Sequence, residues 1–326
     1  MDVLGPAKSF DSLQRRHRTL AIPYAVIKKF GDDQGSNLSA VIAYYGFFSL
    51  FPLLMVFVSG LGFVLEGNPD AQQAVLDSAL RQIPIVGEQL RAGSLKGSGL
   101  ALAIGIVGAL LAGLAVTLAA QTAFNRVYGV PHRDRPNFLW SRLRGLAMLA
   151  VLGTLQLVST AASGLAAGGL GGPLLFVAGI LISLAANVVL FGAAFRLLTD
   201  DSIPNRELWP GVVAATILWT IVQALGGAYI AHVVKGAGTT YGTFATVIGL
   251  LTWLFLGARI VVYTAELNVV LSKRLWPRAM FEPLEDADRR ALTTLAQIEQ
   301  HKDDEHVSVT FDGVESQPDE PTRAPS

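Results

Sequence analysis

The stretch GLAMLAVLGTLQLVSTAASGLAAGGLGGPLLFVAGILISLAANVVLFGAAF, residues 145–195, decides the fold, because it holds no Asp, Glu, Lys or Arg. A helix crossing a bilayer needs about 20 apolar residues, at 1.5 Å each, to span a hydrocarbon core of about 30 Å. This run is more than twice that long and must cross twice. Its interior turn is written as Gly168-Gly-Leu-Gly-Gly-Pro173, a cluster no helix holds intact. The spacing predicts helices over 145–168 and 173–197. Working outward, further uncharged runs lie at 38–65, 97–125, 208–234 and 236–258. They predict spans over 38–65, 99–125, 208–233 and 243–271. The expected fold class is all-α: a polytopic membrane protein with six transmembrane helices in a domain of residues 37–275. Composition agrees, since 15% of the residues are charged and 52% hydrophobic, against roughly a quarter charged in soluble domains. The absence of cysteine excludes disulfides, thiolate nucleophiles and cysteine metal sites.

Lysine and arginine set the orientation. Lys8, Arg15, Arg16, Arg18, Lys28 and Lys29 precede the first span, and Arg126, Arg133, Arg135, Arg142 and Arg144 fill the second loop. Arg196 and Arg206 lie in the fourth loop, and Lys273, Arg274 and Arg278 follow the last span. The opposite side carries only Arg81, Arg91, Lys96 and Lys235. Both termini are therefore expected in the cytoplasm. Tyr128, Trp140, Trp209 and Trp276 fall beside span ends on that same side, where amphipathic rings favour the headgroup region.

Outside the lipid, residues 1–36 read as a basic arm. Tyr24, Ile27 and Phe30 at helical spacing beside Lys28 and Lys29 suit an interfacial helix on an anionic surface, with a disordered arm as the other reading. The outer loop 66–98 begins Asn68-Pro69 and carries Val75, Leu76, Ala79, Leu80 and Ile83 on one helical face. Residues 276–326 form an acidic cytoplasmic tail. One amphipathic helix is expected within 284–300, with disorder after about 302, and the tail is assigned no chemistry.

Polar groups in hydrocarbon are costly and each needs a reason. Gln156, Asn187 and Gln223 fall near the centres of three spans. They act either as glue between helices or, if they converge, as the lining of a polar path. Pro52 interrupts the first span as a hinge or a tolerated bend. Lys235-Gly-Ala-Gly-Thr-Thr-Tyr-Gly242 reads as a loop, which starts the last helix near Thr243 and sets Arg259 roughly 24 Å along its axis. Two readings stand for Arg259: buried and facing an anion, or snorkelling at the cytoplasmic rim. Glu266, seven residues on, lies on nearly the same face but beyond a comfortable direct pair. The small-residue ridge Ala101, Gly105, Ala109, Gly113 lets helices approach closely, within the chain or between copies.

No zinc pair, nucleophile elbow or phosphate-binding loop occurs, so the chain is not expected to be an enzyme and no cofactor is expected. Five quoted stretches together resemble the bacterial YihY/virulence-factor BrkB family: Asn37-Leu-Ser-Ala-Val-Ile-Ala-Tyr-Tyr-Gly-Phe-Phe-Ser-Leu-Phe-Pro-Leu54 after Asp32-Asp33, Ala123-Phe-Asn-Arg-Val-Tyr-Gly129, Trp209-Pro-Gly211, Tyr241-Gly242 and Ala265-Glu-Leu-Asn268. The resemblance covers roughly residues 25–275. It implies six spans with cytoplasmic termini and roles in the envelope, including export or flipping of a compound. It also implies an old label, ribonuclease BN, which five scattered histidines do not support. Motif match carries over Asp33, Tyr45, Pro52, Glu266 and Asn268, whereas Arg259 stands where the family often has an uncharged residue. The expected function is a permease, exporter or lipid-flippase-like transporter, with a path of Arg259, Glu266, Asn268, Asn187, Gln223, Gln156 and Tyr45 and a hinge at Pro52. A non-transporting envelope scaffold is the alternative. Expected partners are the lipid bilayer, an anionic solute or lipid, and further copies of the chain, with no nucleic acid.

Overall fold

The computed structural model of the chain describes residues 5–64, 99–167, 173–229 and 235–311. These form an all-helical protein of α1 (Gly5–Arg16), α2 (Arg18–Asp32), α3 (Gly35–Val64), α4 (Gly99–Val127), α5 (Phe138–Ala167), α6 (Pro173–Leu198), α7 (Asn205–Tyr229), α8 (Lys235–Ser272) and α9 (Asp286–Gln297). The outer-loop helix, the glycine turn up to residue 172 and the tail beyond 311 lie outside the described residues. Among the described residues, four helices carry stretches long and apolar enough to cross a membrane: Gly35–Val56 of α3, Leu102–Val127 of α4, Phe138–Leu155 of α5 and Val247–Ser272 of α8. A shorter apolar stretch, Leu184–Leu198, lies in α6.

Each long helix packs on the next, α3 on α4 through to α7 on α8, and α8 returns to α3, which closes a ring of six. The buried side chains gather at one end of it. Ser39 and Ala43 of α3, Ala123 to Val127 excepting Arg126 in α4, Met148 of α5, Phe195 of α6, Val212 and Ala215 of α7 and Val262 to Val270 of α8 supply most of them. The arm and α9 sit at that same end. Toward the far end α6 and α7 are more exposed. Ile217, Leu218, Thr220, Ile221 and Gln223 of α7 are all exposed, as are Leu181, Ile182, Leu184 and Ala185 of α6. At 100° per residue these positions cover more than one side of each helix.

Two expectations are corrected. Residues 235–242 are helical, because a helical glycine costs only about 1 kcal/mol and these turns extend a helix already nucleated. Arg259 thereby stands 24 residues, roughly 36 Å, from the start of α8. Tyr128 does not join an aromatic belt: it is 4% exposed, whereas Trp140 and Trp209 are more than half exposed.

The small-residue ridge of α4 serves two neighbours. A Cβ on Gly105 would lie 3.2 Å from the Val56 backbone nitrogen of α3, and one on Gly113 would lie 2.9 Å from Leu149 of α5. Helix α3 continues through Pro52, whose ring rests against Gly108.

Candidate functional site: a charged junction between the arm and the bundle

Helix α2 ends with two doublets, Lys28-Lys29 and Asp32-Asp33, four residues apart, so each lysine stands one turn before an aspartate. One member of each doublet faces the bundle. The Lys29 Nζ donates to Glu266 Oε2 at 2.8 Å, to the Val127 carbonyl at 2.8 Å and to the Asp33 carboxylate. An ammonium has three donors, and all three are used. Lys29, Asp33 and Glu266 are 6%, 4% and 0% exposed, so this is an ion cluster inside the protein. Burial alone would depress the Lys29 ammonium; Glu266 and Asp33 outweigh it and hold Lys29 above its ordinary value. Arg126 Nε donates to the Asp33 carbonyl at 3.0 Å, which ties the end of α4 to the same elbow. Among the described residues, Glu266 Oε1 has no hydrogen-bond partner. Beside the cluster lies a cavity of about 10 Å³, room for one water molecule, lined by Lys29, Asp32, Asp33, Arg126, Lys273 and apolar residues of α8 and α9.

The other member of each doublet faces the tail. Lys28 Nζ donates to Asp288 Oδ1 at 2.7 Å, and Arg278 donates to Asp288 at 2.5 Å and to Asp32 at 2.8 Å. Asp288 Oδ2 also accepts from the backbone N–H of Ala279 at 2.7 Å and of Glu285 at 3.1 Å, the latter bond being half of a capping box at the start of α9. Burial would raise the Asp288 carboxyl, but Arg278, Lys28 and the Ala279 N–H outweigh it and hold it below the usual carboxylate range. Arg278 is fully buried, and its carbonyl accepts from Gln14 of α1 at 2.6 Å. A folded cap of α1, α2 and α9 results.

Three of the quoted motifs meet at Asn268, two residues past Glu266 and on the opposite side of α8. Asn268 accepts the Gly211 N–H at 2.6 Å and donates to the Tyr128 hydroxyl at 3.0 Å and the Leu208 carbonyl at 3.1 Å. Trp209-Pro-Gly211 needs its glycine because a Cβ there would stand 2.4 Å from Asn268 and 2.5 Å from the Thr264 carbonyl. Gly129, at φ +71°, ends α4 as its left-handed cap, with the Val130 N–H returning to the Asn125 carbonyl at 2.8 Å.

The remaining sequence-derived residues lie apart. The Arg259 guanidinium sits 5.5 to 5.6 Å from the ring centres of Phe30, Phe255 and Tyr263 and donates to the Tyr263 hydroxyl at 3.3 Å. Among the described residues it has no carboxylate partner. Arg259 and Glu266 face α2, and Asn268 faces α7 from the other side of α8. Gln223 is exposed on α7, Asn187 half-buried on α6, and Tyr45 is 40% exposed beside Tyr44 on α3. The side chain of Gln156 lies outside the described residues. Sequence reasoning missed Lys29, Arg278 and Asp288 as partners; the doublets at i, i+4 were the available signal for the first. No group of three His, Asp or Glu among the described residues stands close enough to hold a metal ion.

Comparisons with known proteins bear on these motifs. The chain is 24% identical to a Bacillus subtilis protein whose name calls it ribonuclease-like, YfkH, over 74% of this chain and 91% of that one. It is 25% identical to the inner membrane protein YhjD of Escherichia coli, over 77% of this chain and 81% of that one. A UPF0761 membrane protein of Chromohalobacter salexigens is 26% identical over 76% of this chain and 62% of its own length. No solved structure matches significantly. The family model described as Virulence factor BrkB matches residues 26–288, which take in the arm doublets, every helix of the ring and Asp288. This chain is a membrane protein belonging to the Virulence factor BrkB family.

Proposed function

We propose that this chain is a six-span carrier of the bacterial inner membrane with both termini in the cytoplasm, and that the Lys29–Glu266–Asp33 junction is the cytoplasmic gate of an alternating-access cycle. The observation that carries the reading is the Glu266 carboxylate: fully buried in α8, yet bound to a lysine of the arm rather than to another span. As glue, such a pair is poor value, since apolar residues of similar volume often serve as well or better. As a lock between two arrangements it makes sense, and the gathering of buried side chains at the arm end, with α6 and α7 exposed on more than one side farther along, agrees with a bundle shut at one end. In this reading Arg259 meets the anionic group of a solute or lipid. Gln156, Asn187, Gln223 and Tyr45 line the path, Asn268 fastens α8 to α7, and Pro52 is a bend within α3.

The chain has no cysteine, so a single introduced one reports alone. In oriented vesicles, Gln223→Cys is expected to react with an impermeant maleimide from the periplasmic side, and from the cytoplasmic side once Glu266→Gln is added. Identical labelling in both backgrounds would refute the gate. Solute efflux or lipid flipping equal in wild type and Arg259→Ala would remove Arg259 from the mechanism. The folded cap favours a second reading, a membrane scaffold that recruits partners. Its pull-down test must remove only residues after 311, because a truncation from 282 would also extract Asp288 from the cap.

A further inference from the structure

Charge and space at the junction point to a ligand. Glu266 is 0% exposed, and one of its oxygens has no donor. An ionised carboxylate so placed lacks the hydration that would stabilise it. The groups facing it are Lys29 from α2 and Asp33 from the elbow, with Arg126 of α4, Lys273 after α8 and Asp32 around the adjoining cavity. Arg259, two turns away on the same face, makes no contact with it. Three cations and two carboxylates line this space, and it has room for one water. Both carboxylates are already paired, Asp33 with Lys29 and Asp32 with Arg278, so a metal cation would find neither room nor free ligands. A proton needs neither room nor coordination. Asp32, 27% exposed at its side chain, and the exposed Lys273 bring the cavity rim to solvent on the arm side.

Resting on the gate reading, we propose that Glu266 is a proton-binding site loaded from the arm side through the cavity and Lys29, and that its protonation releases α8 from α2. Lys29 both lines the cavity and touches Glu266 at 2.8 Å, so it forms the relay. The Lys29 ammonium passes a proton to the Glu266 carboxylate, giving a neutral amine and a carboxylic acid. A hydronium in the cavity then returns a proton to the amine and leaves as water. The net change is one new O–H bond on Glu266. Lys29 keeps Asp33 and the Val127 carbonyl, and the ionic attraction between α2 and α8 is lost. Infrared difference spectra of the full chain in nanodiscs, stepped from alkaline to acidic pH, are expected to show a protonated-carboxyl band that disappears in Glu266→Gln and persists in Asp33→Asn. Labelling of Gln223→Cys from the cytoplasmic side should rise about tenfold per pH unit of acidification until it saturates, as one-proton linkage requires. A wild type without the band, or a band lost in Asp33→Asn and kept in Glu266→Gln, overturns the proton site even where Glu266→Gln still alters labelling. A band with pH-independent labelling upholds the site and sinks the gate.

Discussion

Lys29→Met puts the junction to its hardest test. The substitution keeps the length of the side chain and removes the ammonium, which strands the Glu266 and Asp33 carboxylates, both under 5% exposed, and the Val127 carbonyl. Removing one partner of a buried pair costs about 3–5 kcal/mol, at least a hundredfold in the folding equilibrium. Glu266→Gln should cost much less, because Lys29 retains Asp33. In the double variant one stranded charge is gone, so the two effects should fall short of their sum by about 1–3 kcal/mol. Membrane proteins commonly unfold irreversibly, so the measurement is inactivation half-life at fixed temperature, followed by the five tryptophans, beside an apparent Tm. The pH dependence has a fixed sign. Lys29 is held above its ordinary 10.5, so its own titration leaves the contribution in place below that pH, down to where Glu266 takes up a proton, and removes it as pH rises through the higher folded value. The gap between wild type and Lys29→Met at neutral pH should therefore persist up to about pH 10.5 and narrow only beyond it. A Lys29→Met protein within about 0.5 kcal/mol of wild type, or strict additivity with Glu266→Gln, would refute the junction as drawn.

Asn268→Ala leaves the Gly211 N–H, the Tyr128 hydroxyl and the Leu208 carbonyl without their partner, at about 1–3 kcal/mol for each group left dry. Gly211→Ala forces a Cβ within 2.5 Å of two heavy atoms and should cost about 1–3 kcal/mol by overpacking; thermal inactivation of either variant at wild-type rate would contradict the α7–α8 contact. Asp288, held below its ordinary 3.8, stabilises the cap at all pH values above that and loses its effect as pH falls through the lowered value. Protease cleavage or hydrogen exchange in α9 should therefore rise only in strong acid, and Asp288→Asn should raise it already at neutral pH.

Helices were legible because lipid leaves the backbone no alternative, and uncharged runs mark where lipid is. Their ends were legible only where a charge or a breaker stood. Thus α4 ends at the expected place beside Arg126, while α8 begins eight residues before expectation because Gly236, Gly238 and Gly242 imitate a loop. Glu266 could be singled out by its cost in an apolar segment, and Asn268 by its place in a family motif. Their partners could not, since Lys29 lies 237 positions from Glu266 and Tyr128 lies 140 from Asn268. Periodicity reports which face of a helix is buried and is silent on what covers it. The tail misled in the same way: its acidic excess suggests a solvated segment, yet Asp288 is 1% exposed because two basic side chains and two backbone amides surround it.

The two doublets of α2 give the junction its mechanical sense. Successive positions on a helix stand 100° apart, so Lys28-Lys29 and Asp32-Asp33 present two similar ion-pairing strips at an angle to each other. The first strip holds Asp288 and Arg278 of the cap, and the second holds Glu266 of α8. Because α2 is a rigid rod across those few residues, neither strip can turn without disturbing the other. Loss of the Glu266 contact removes one restraint on the second strip, beside those of the Val127 carbonyl and Arg126, and shifts load onto Arg278 and Asp32; undocking of α9 removes one of the restraints that keep Lys29 aimed at Glu266. Coupling of this kind is reciprocal by thermodynamic necessity. Whatever loosens α9 must therefore make α8 easier to release, and by the same free energy a released α8 must loosen α9.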